Sequence, residues 1–353
     1  MTIRSLLLAT VAIATISAPA VAQVAAELEG RVTDITTTGT GPETTVTSLK
    51  VFNTTIAIKS GTTFATPTRD GMSANNIGVC NNRPFAGMSR TTKTMIGGTG
   101  IIVGSSVDLP APAVGSVVEP QTVFLEPAEN VLLGRITKIP EYELDPVTST
   151  KKYVSGTLEV EGTSVIVLGA RAGEHFPPTG TVAHNPCLPG TGVKNDFGFA
   201  IPPESLVVGA EAAAEGWFGD DGRFYAFLIE SVGAPDIQPT SVSITRAQCR
   251  TRSATQMEWE IRGGTADEAS GGAGQILIGK PVPSPTPENP NRTVFGAYTG
   301  ATTTATADPL NRPYGLYTFK ANINNQGSCP ETVMVRYVGK SATVTVRAGV
   351  DRR

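Results

Sequence analysis

Along most of the chain, apolar and polar residues alternate in short runs separated by Gly, Pro, Asn and Asp. This is the two-residue period of half-buried strands, not the longer period of a helix face. Gly30-Arg31-Val32-Thr33-Asp34-Ile35 reads as a strand and Leu49 to Ile58 as a hairpin. A long Gly-, Pro- and Asn-rich excursion around Cys80 follows, and then a closing pair of strands. The same sequence of features returns further along. There the closing pair is Ala212 to Phe218 and Phe224 to Ile229, flanking the turn Gly219-Asp220-Asp221-Gly222. Each set predicts a small closed or half-open barrel of five to six strands.

The first 22 residues break the pattern. Arg4 precedes an apolar stretch from Leu6 to Ile16, and Ala20-Val21-Ala22 places small residues before Gln23. Residues 1–22 therefore read as a secretory signal peptide. Ser17, Pro19 and Gln23 interrupt the run before it reaches the ~20 apolar residues of a membrane span. No later stretch is long and apolar enough to cross a bilayer, so the expectation is an exported protein, periplasmic or extracellular, without a transmembrane segment.

Laying the two barrel patterns side by side predicts an internal repeat. Leu28-Glu29-Gly30-Arg31-Val32-Thr33-Asp34-Ile35 matches Leu132-Leu133-Gly134-Arg135-Ile136-Thr137-Lys138-Ile139, and Leu49 to Ile58 matches Leu158 to Val167. Cys80 lines up with Cys187, Val103-Gly104 with Val208-Gly209, and Phe124-Leu125-Glu126 with Leu228-Ile229-Glu230. The repeats occupy residues 23–128 and 129–236. Residues 237–353 do not follow them. Seven short strands are expected there, at Ser241 to Ala247, Met257 to Arg262, Gln275 to Gly279, Val294 to Tyr298, Leu316 to Ile323, Thr332 to Val338 and Ala342 to Arg347. That rhythm predicts an immunoglobulin-like sandwich with Trp259 in its core, and a stiff proline-rich loop over Pro281 to Pro290. The fold class is all-β: two tandem small β-barrel repeats plus a C-terminal immunoglobulin-like β-sandwich.

Composition narrows the function more than it names one. The 38 Gly and 26 Pro, with 17% charged residues, exclude a coiled coil or helical bundle. The net charge of −3 becomes one unit more negative when Arg4 leaves with the signal, and no basic run provides a footprint for nucleic acid.

The pattern Gly30-Arg31-Val32-Thr33-Asp34-Ile35, its following hairpin, and Val208 to Gly216 before Asp220-Asp221-Gly222 resemble a bacterial secreted repeat domain of oligonucleotide-binding-barrel type. The resemblance covers roughly residues 28 to 231, and the Cys-bearing insertion in each copy departs from it. It implies a barrel fold in two copies and carries no activity. The C-terminal part resembles bacterial immunoglobulin-like modules in strand rhythm.

Four Cys in an exported chain point to two disulfides. Cys249 and Cys329 share the last domain and are expected to pair, which leaves Cys80 with Cys187. If those two hold equivalent places in the repeats, their pairing implies a pseudo-two-fold axis. The competing reading makes two free thiols metal ligands, and His175, His184, Glu174 and Cys187 share one loop, so a metal site there is the outside reading beside surface histidines. No Gly-x-Ser-x-Gly occurs, and no cofactor motif is present; Gly339-Lys340-Ser341 imitates the end of a phosphate loop but reads as a turn. Asp220-Asp221 reads as a hairpin tip.

The densest aromatic cluster, Trp217, Phe218, Phe224 and Tyr225, lies on one hairpin, where alternation sends each neighbouring pair to opposite faces. One member of each pair is expected to face outward, where it could stack on a glycan or a cell-surface protein, with cross-strand core packing as the alternative. The leading expectation is an exported non-enzymatic binding or structural protein; the other class is an exported hydrolase acting on polysaccharide or peptide through a carboxylate pair.

Overall fold

The computed structural model describes residues 24–89, 94–108, 116–127, 130–232, 239–253, 255–324 and 329–352; the signal-peptide reading of residues 1–22 falls outside them. The first unit comprises β1 (Val24–Thr38), β2 (Thr45–Val51), β3 (Thr54–Ala57), β4 (Thr63–Thr66), β5 (Arg69–Met72), the helix α1 (Ala74–Asn81), β6 (Thr99–Asp108) and β7 (Ser116–Glu126). Its sheet runs β3-β2-β1-β6-β7-β4-β5, with β4 parallel to β7.

The second unit comprises β8 (Asn130–Lys138), β9 (Glu141–Leu144), β10 (Lys151–Ser155), β11 (Leu158–Val160), β12 (Thr163–Leu168), β13 (His175–Phe176), β14 (Gly192–Lys194), β15 (Glu211–Phe218) and β16 (Phe224–Ser231). Its sheet runs β13-β12-β11-β8-β15-β16-β14, and a parallel ladder between β12 and β16 closes five strands into a barrel. The hairpin β9–β10 stands off this barrel as a separate two-stranded sheet.

Local chemistry explains why both sheets curl. Val32 and Ile35 are both buried although three residues apart, which a regular strand forbids. A bulge between Val32 and Asp34 restores the inward direction, and the pairing of β8 with β11 shifts register beside Ile136 in the same way. A second bulge opposite Gly104 in β6 recurs opposite Gly216 in β15. At both glycines a Cβ would lie 2.0 Å from a backbone oxygen across the bulge, that of Glu119 or Tyr225. These landmarks correct one sequence match. Gly104 corresponds to Gly216, not Gly209. Gly209 corresponds instead to Gly97, since the amide of Gly97 donates to Val32 O (2.9 Å) and that of Gly209 to Ile136 O (2.8 Å).

Cys80 and Cys187 need a similar correction. β4 runs parallel to β7 and β14 parallel to β16, so β4 and β14 hold the same place. Cys80 lies beyond β4 on α1, whereas Cys187 precedes β14. The two cysteines bond, with Cα atoms 5.9 Å apart, but from non-corresponding positions, so the bond implies no two-fold axis.

The helix α1 is the element that strand rhythm alone misses. It begins at a capping box: Ser73 Oγ accepts from Asn76 N (3.2 Å) while Ser73 N donates to Asn76 Oδ1 (3.0 Å). Ile77 and Cys80 then fall on its buried side.

The third unit comprises β17 (Thr240–Val242), β18 (Arg246–Ser253), β19 (Gln256–Asp267), β20 (Gly274–Pro283), β21 (Thr293–Ala307), β22 (Tyr314–Asn324), β23 (Thr332–Val338), β24 (Thr343–Gly349) and β25 (Asp351–Arg352). One sheet is built from β18, β19 and β22, the other from β21, β20, β23 and β24; β21 passes from β20 at its start to β22 at its end. This is the strand order of an immunoglobulin-like sandwich. Trp259 is fully buried between the sheets, and Cys249 on β18 bonds Cys329 ahead of β23. The proline-rich stretch differs from expectation, because Pro281 and Pro283 are ladder residues opposite Phe295 and Thr293. They sit where β20 has left β23, so neither removes a hydrogen bond from a central strand.

Candidate functional site

The aromatic hairpin is not a free surface. Trp217 and Tyr225, cross-strand partners with near-parallel rings 6.3 Å apart, are both 2% exposed, and Phe224 is fully buried in the barrel core. Of the four candidates only Phe218 is exposed, at 49%, its ring edge-on to Phe224 at 5.0 Å. What covers Trp217 and Tyr225 is the first unit. Phe85 packs on Trp217 at 4.9 Å, and the indole Nε1 donates to Ala86 O at 2.8 Å. Gly87 follows at φ +71, and a Cβ there would lie 2.1 Å from the Tyr225 ring. One core cluster consequently runs from Val32, Phe64 and Ile77 of the first unit through Phe85 to Ile166, Leu168, Trp217, Tyr225 and Phe227 of the second.

Polar contacts fasten the rim of this junction. At the hairpin tip, Asp220 N donates to Gly87 O (2.7 Å), and Asp220 Oδ2 accepts from Ser89 N (2.6 Å) and Ser89 Oγ (2.5 Å). Asp221 Oδ2 accepts from Tyr225 OH (2.7 Å) and Arg223 Nε (2.8 Å). Burial and this bond push the Tyr225 phenol up to about 12. On the far side, Asn185 Nδ2 donates to Cys80 O (3.0 Å), Thr66 Oγ1 to Cys187 O (2.5 Å) and Arg69 Nη1 to Pro186 O (2.6 Å), all beside the Cys80–Cys187 bond. Phe85, Ala86, Gly87 and Ser89 carry no motif. Their one sequence signal is a lone aromatic, Phe85, in a turn-dense stretch.

The histidines do not form a metal centre. His175 Nδ1 lies 3.1 Å from Gly173 O, while His184 lines a small crevice with Arg171, Glu174 and Trp217; burial and then the Arg83 charge hold its pKa below the ordinary histidine value. Both candidate thiolates of the metal reading are consumed in disulfides, and among the described residues no three His, Cys, Asp or Glu side chains converge on a metal position.

The turn Gly339-Lys340-Ser341, which imitates a phosphate loop, does bind an anion, but one belonging to the protein. Asp267 is fully buried; its Oδ2 accepts from Lys340 N (2.6 Å) and Ser341 N (3.1 Å), and its Oδ1 from Ser341 Oγ (2.7 Å) and Ala269 N (3.0 Å). Burial alone would raise this carboxyl; the hydrogen bonds from Ser341, Ala269 and Lys340 outweigh it and hold the pKa below the ordinary aspartate value.

A pair of carboxylates does approach in the second barrel. Glu230 on β16 is the ladder partner of Lys194 on β14, and Glu215 lies on the adjoining strand β15. Partial desolvation raises Glu230, with the Glu215 charge adding to the rise, and raises Glu215 too although that residue stays exposed; desolvation lowers Lys194, against the pull of both carboxylates. Neither the crevice beside His184 nor the cavity beside Glu260 is lined by these three residues.

No protein-family model matches the chain, and no curated protein matches it.

Proposed function

We propose that the protein is exported and acts without catalysis, as a rigid binding or structural element made of two barrels of oligonucleotide-binding type, related by tandem duplication, and an immunoglobulin-like module. One observation carries this reading: in the second barrel the chain itself covers part of the surface that such barrels use for ligands. In barrels of this type, ligands lie on the second and third strands and on the loops between strands one and two and between strands four and five. In the second unit the third strand is β12, whose Ile166 and Leu168 lie under the first unit, and the loop between strands four and five is the Asp220 tip latched to Gly87 and Ser89. The five-strand closure with β12 parallel to β16 supports the barrel type. Two disulfides, one of them tying the barrels together, support a protein of an oxidising compartment.

The hydrolase alternative rests on the Glu215 and Glu230 pair beside Lys194. Incubating the full chain with polysaccharide and peptide libraries separates the two readings. The scaffold reading expects no product. Turnover that disappears in Glu230→Gln establishes the hydrolase. N-terminal sequencing of the protein recovered outside the cytoplasm is expected to begin at Gln23, and an intact Met1 in that fraction contradicts export by a cleaved signal.

A further inference from the structure

The outer face of the sheet β18–β19–β22 gathers an unusual number of cations. The inner face of these strands carries Ala247, Cys249, Met257, Trp259, Ile261, Tyr317 and Phe319. The ladder then places three rows on the opposite face: Arg246, Arg262 and Thr318; Gln248, Glu260 and Lys320; Arg250, Glu258 and Asn322. Arg252 continues β18 beyond them and pairs with Glu258. On these three strands five cations thus share one face with two carboxylates, with Asp351 of β25 in register with Gln248 at the sheet edge, in a molecule whose overall charge is −3. Glu260 organises them. Its Oε1 lies 2.7 Å from Arg262 Nη2 and 3.7 Å from Arg246 Nη1, and its Oε2 lies 3.8 Å from Lys320 Nζ. Arg250 has no carboxylate partner among the described residues. Arg246, Gln248, Arg250, Glu258, Glu260 and Lys320 surround a shallow open cavity of about 280 Å³.

We infer that this face binds an acidic polysaccharide whose chain runs across the three strands. Neighbouring strands lie about 4.8 Å apart, and alternate residues of one strand about 6.8 Å apart. A ligand that meets Arg246, Arg250 and Lys320 together must therefore carry several anions along an extended chain. Guanidinium groups grip carboxylates in two-pronged fashion, and the exposed Asn322 and Thr318 beside them offer hydrogen bonds to hydroxyls. Among the described residues, the outward face carries none of the aromatic anchors that centre a protein interface or stack nucleic-acid bases, which sets it apart from both partner classes. Such binding is independent of the scaffold reading and of where the protein resides.

The test is retention of the full chain on polygalacturonate, with dextran, polyglutamate and a single-stranded oligonucleotide as comparisons. Retention by polygalacturonate is expected at about 0.05 M salt and is lost near 1 M, where the screening length falls to about 3 Å. Arg250→Gln combined with Lys320→Gln is expected to weaken it by about tenfold or more. Both side chains are exposed, so the melting temperature should not change, and Arg250→Gln alone, which breaks no ion pair, should weaken binding in the same direction. Absence of retention on polygalacturonate, retention that the variants do not reduce, or stronger retention on polyglutamate or the oligonucleotide would overturn the inference.

Discussion

Individual side chains decide whether the junction between the barrels is core or contact. Trp217 is buried against Phe85 and hydrogen-bonded, whereas Asp220, which meets Ser89 a few residues away, is exposed. Burial of a large aromatic outweighs an exposed polar contact. Trp217→Ala should therefore cost about 3 to 5 kcal/mol in a denaturant titration, and Asp220→Ala about 1 kcal/mol or less. Near-equal losses contradict this ranking. Gly87 combines φ +71 with the Tyr225 ring where its Cβ would go, so Gly87→Ala should cost about 2 to 4 kcal/mol through strain and overpacking. At Asp267, a carboxyl with its folded pKa held below the unfolded value near 3.8 contributes stability that is fully present above that value and lost as the pH falls through the folded pKa. Asp267→Asn keeps the shape and loses the charge. It should destabilise the protein by about 2 kcal/mol at neutral pH, and the difference from the native protein should narrow in melts taken below about pH 4. A constant difference from pH 7 to 2 contradicts that role.

At the level of elements, the strands were legible wherever one face is buried and the other wet. Thr332 to Val338 is observed over the span its alternation predicts, and Leu158 to Val160 and Leu49 to Val51 occupy matching places beside β8 and β1. Bulges were not legible, because an extra residue leaves no mark in composition. The sequence match of the closing strands is consequently a few residues out of step, at Gly209 instead of Gly216. The helix α1 was hidden for a different reason: eight residues are too few to display a period, and its one signal is the local pair Ser73 and Asn76. The bulge glycines give this level its test. Gly216→Ala would force a Cβ to 2.0 Å from Tyr225 O, so about 2 to 3 kcal/mol of stability should be lost. Calorimetry reads this directly, and an unperturbed transition would mean that the bulge is not where the ladder places it.

For the whole molecule, what sequence reasoning could not supply was the partner of each surface. Alternation correctly sends Trp217 and Phe218 to opposite faces of the hairpin, yet it carries no information about a segment more than a hundred residues away that covers one of them. The junction is heterologous. It sets the helix and loop of the first barrel, from Ile77 to Phe85, against the sheet face of the second, from Ile166 to Phe227. The positions of the first barrel that correspond to Trp217 and Tyr225 carry Ser105 and Glu119, so the first barrel does not present the same aromatic pair. The Cys80–Cys187 bond closes a separation of 107 residues across this junction and contributes about 4 to 5 kcal/mol in the chain-entropy description. Further on, Phe197 and Phe199 pack on Tyr314 and Ala266, joining the second barrel to the sandwich. The central claim is that the two barrels form one body with the aromatic hairpin inside it. Only two tryptophans report on it, Trp217 and Trp259, and both are buried. Iodide quenching of the native protein's fluorescence tests the claim most directly: neither tryptophan should be quenched before unfolding, whereas a quenchable component that vanishes in Trp217→Phe would show the hairpin open to solvent and contradict it.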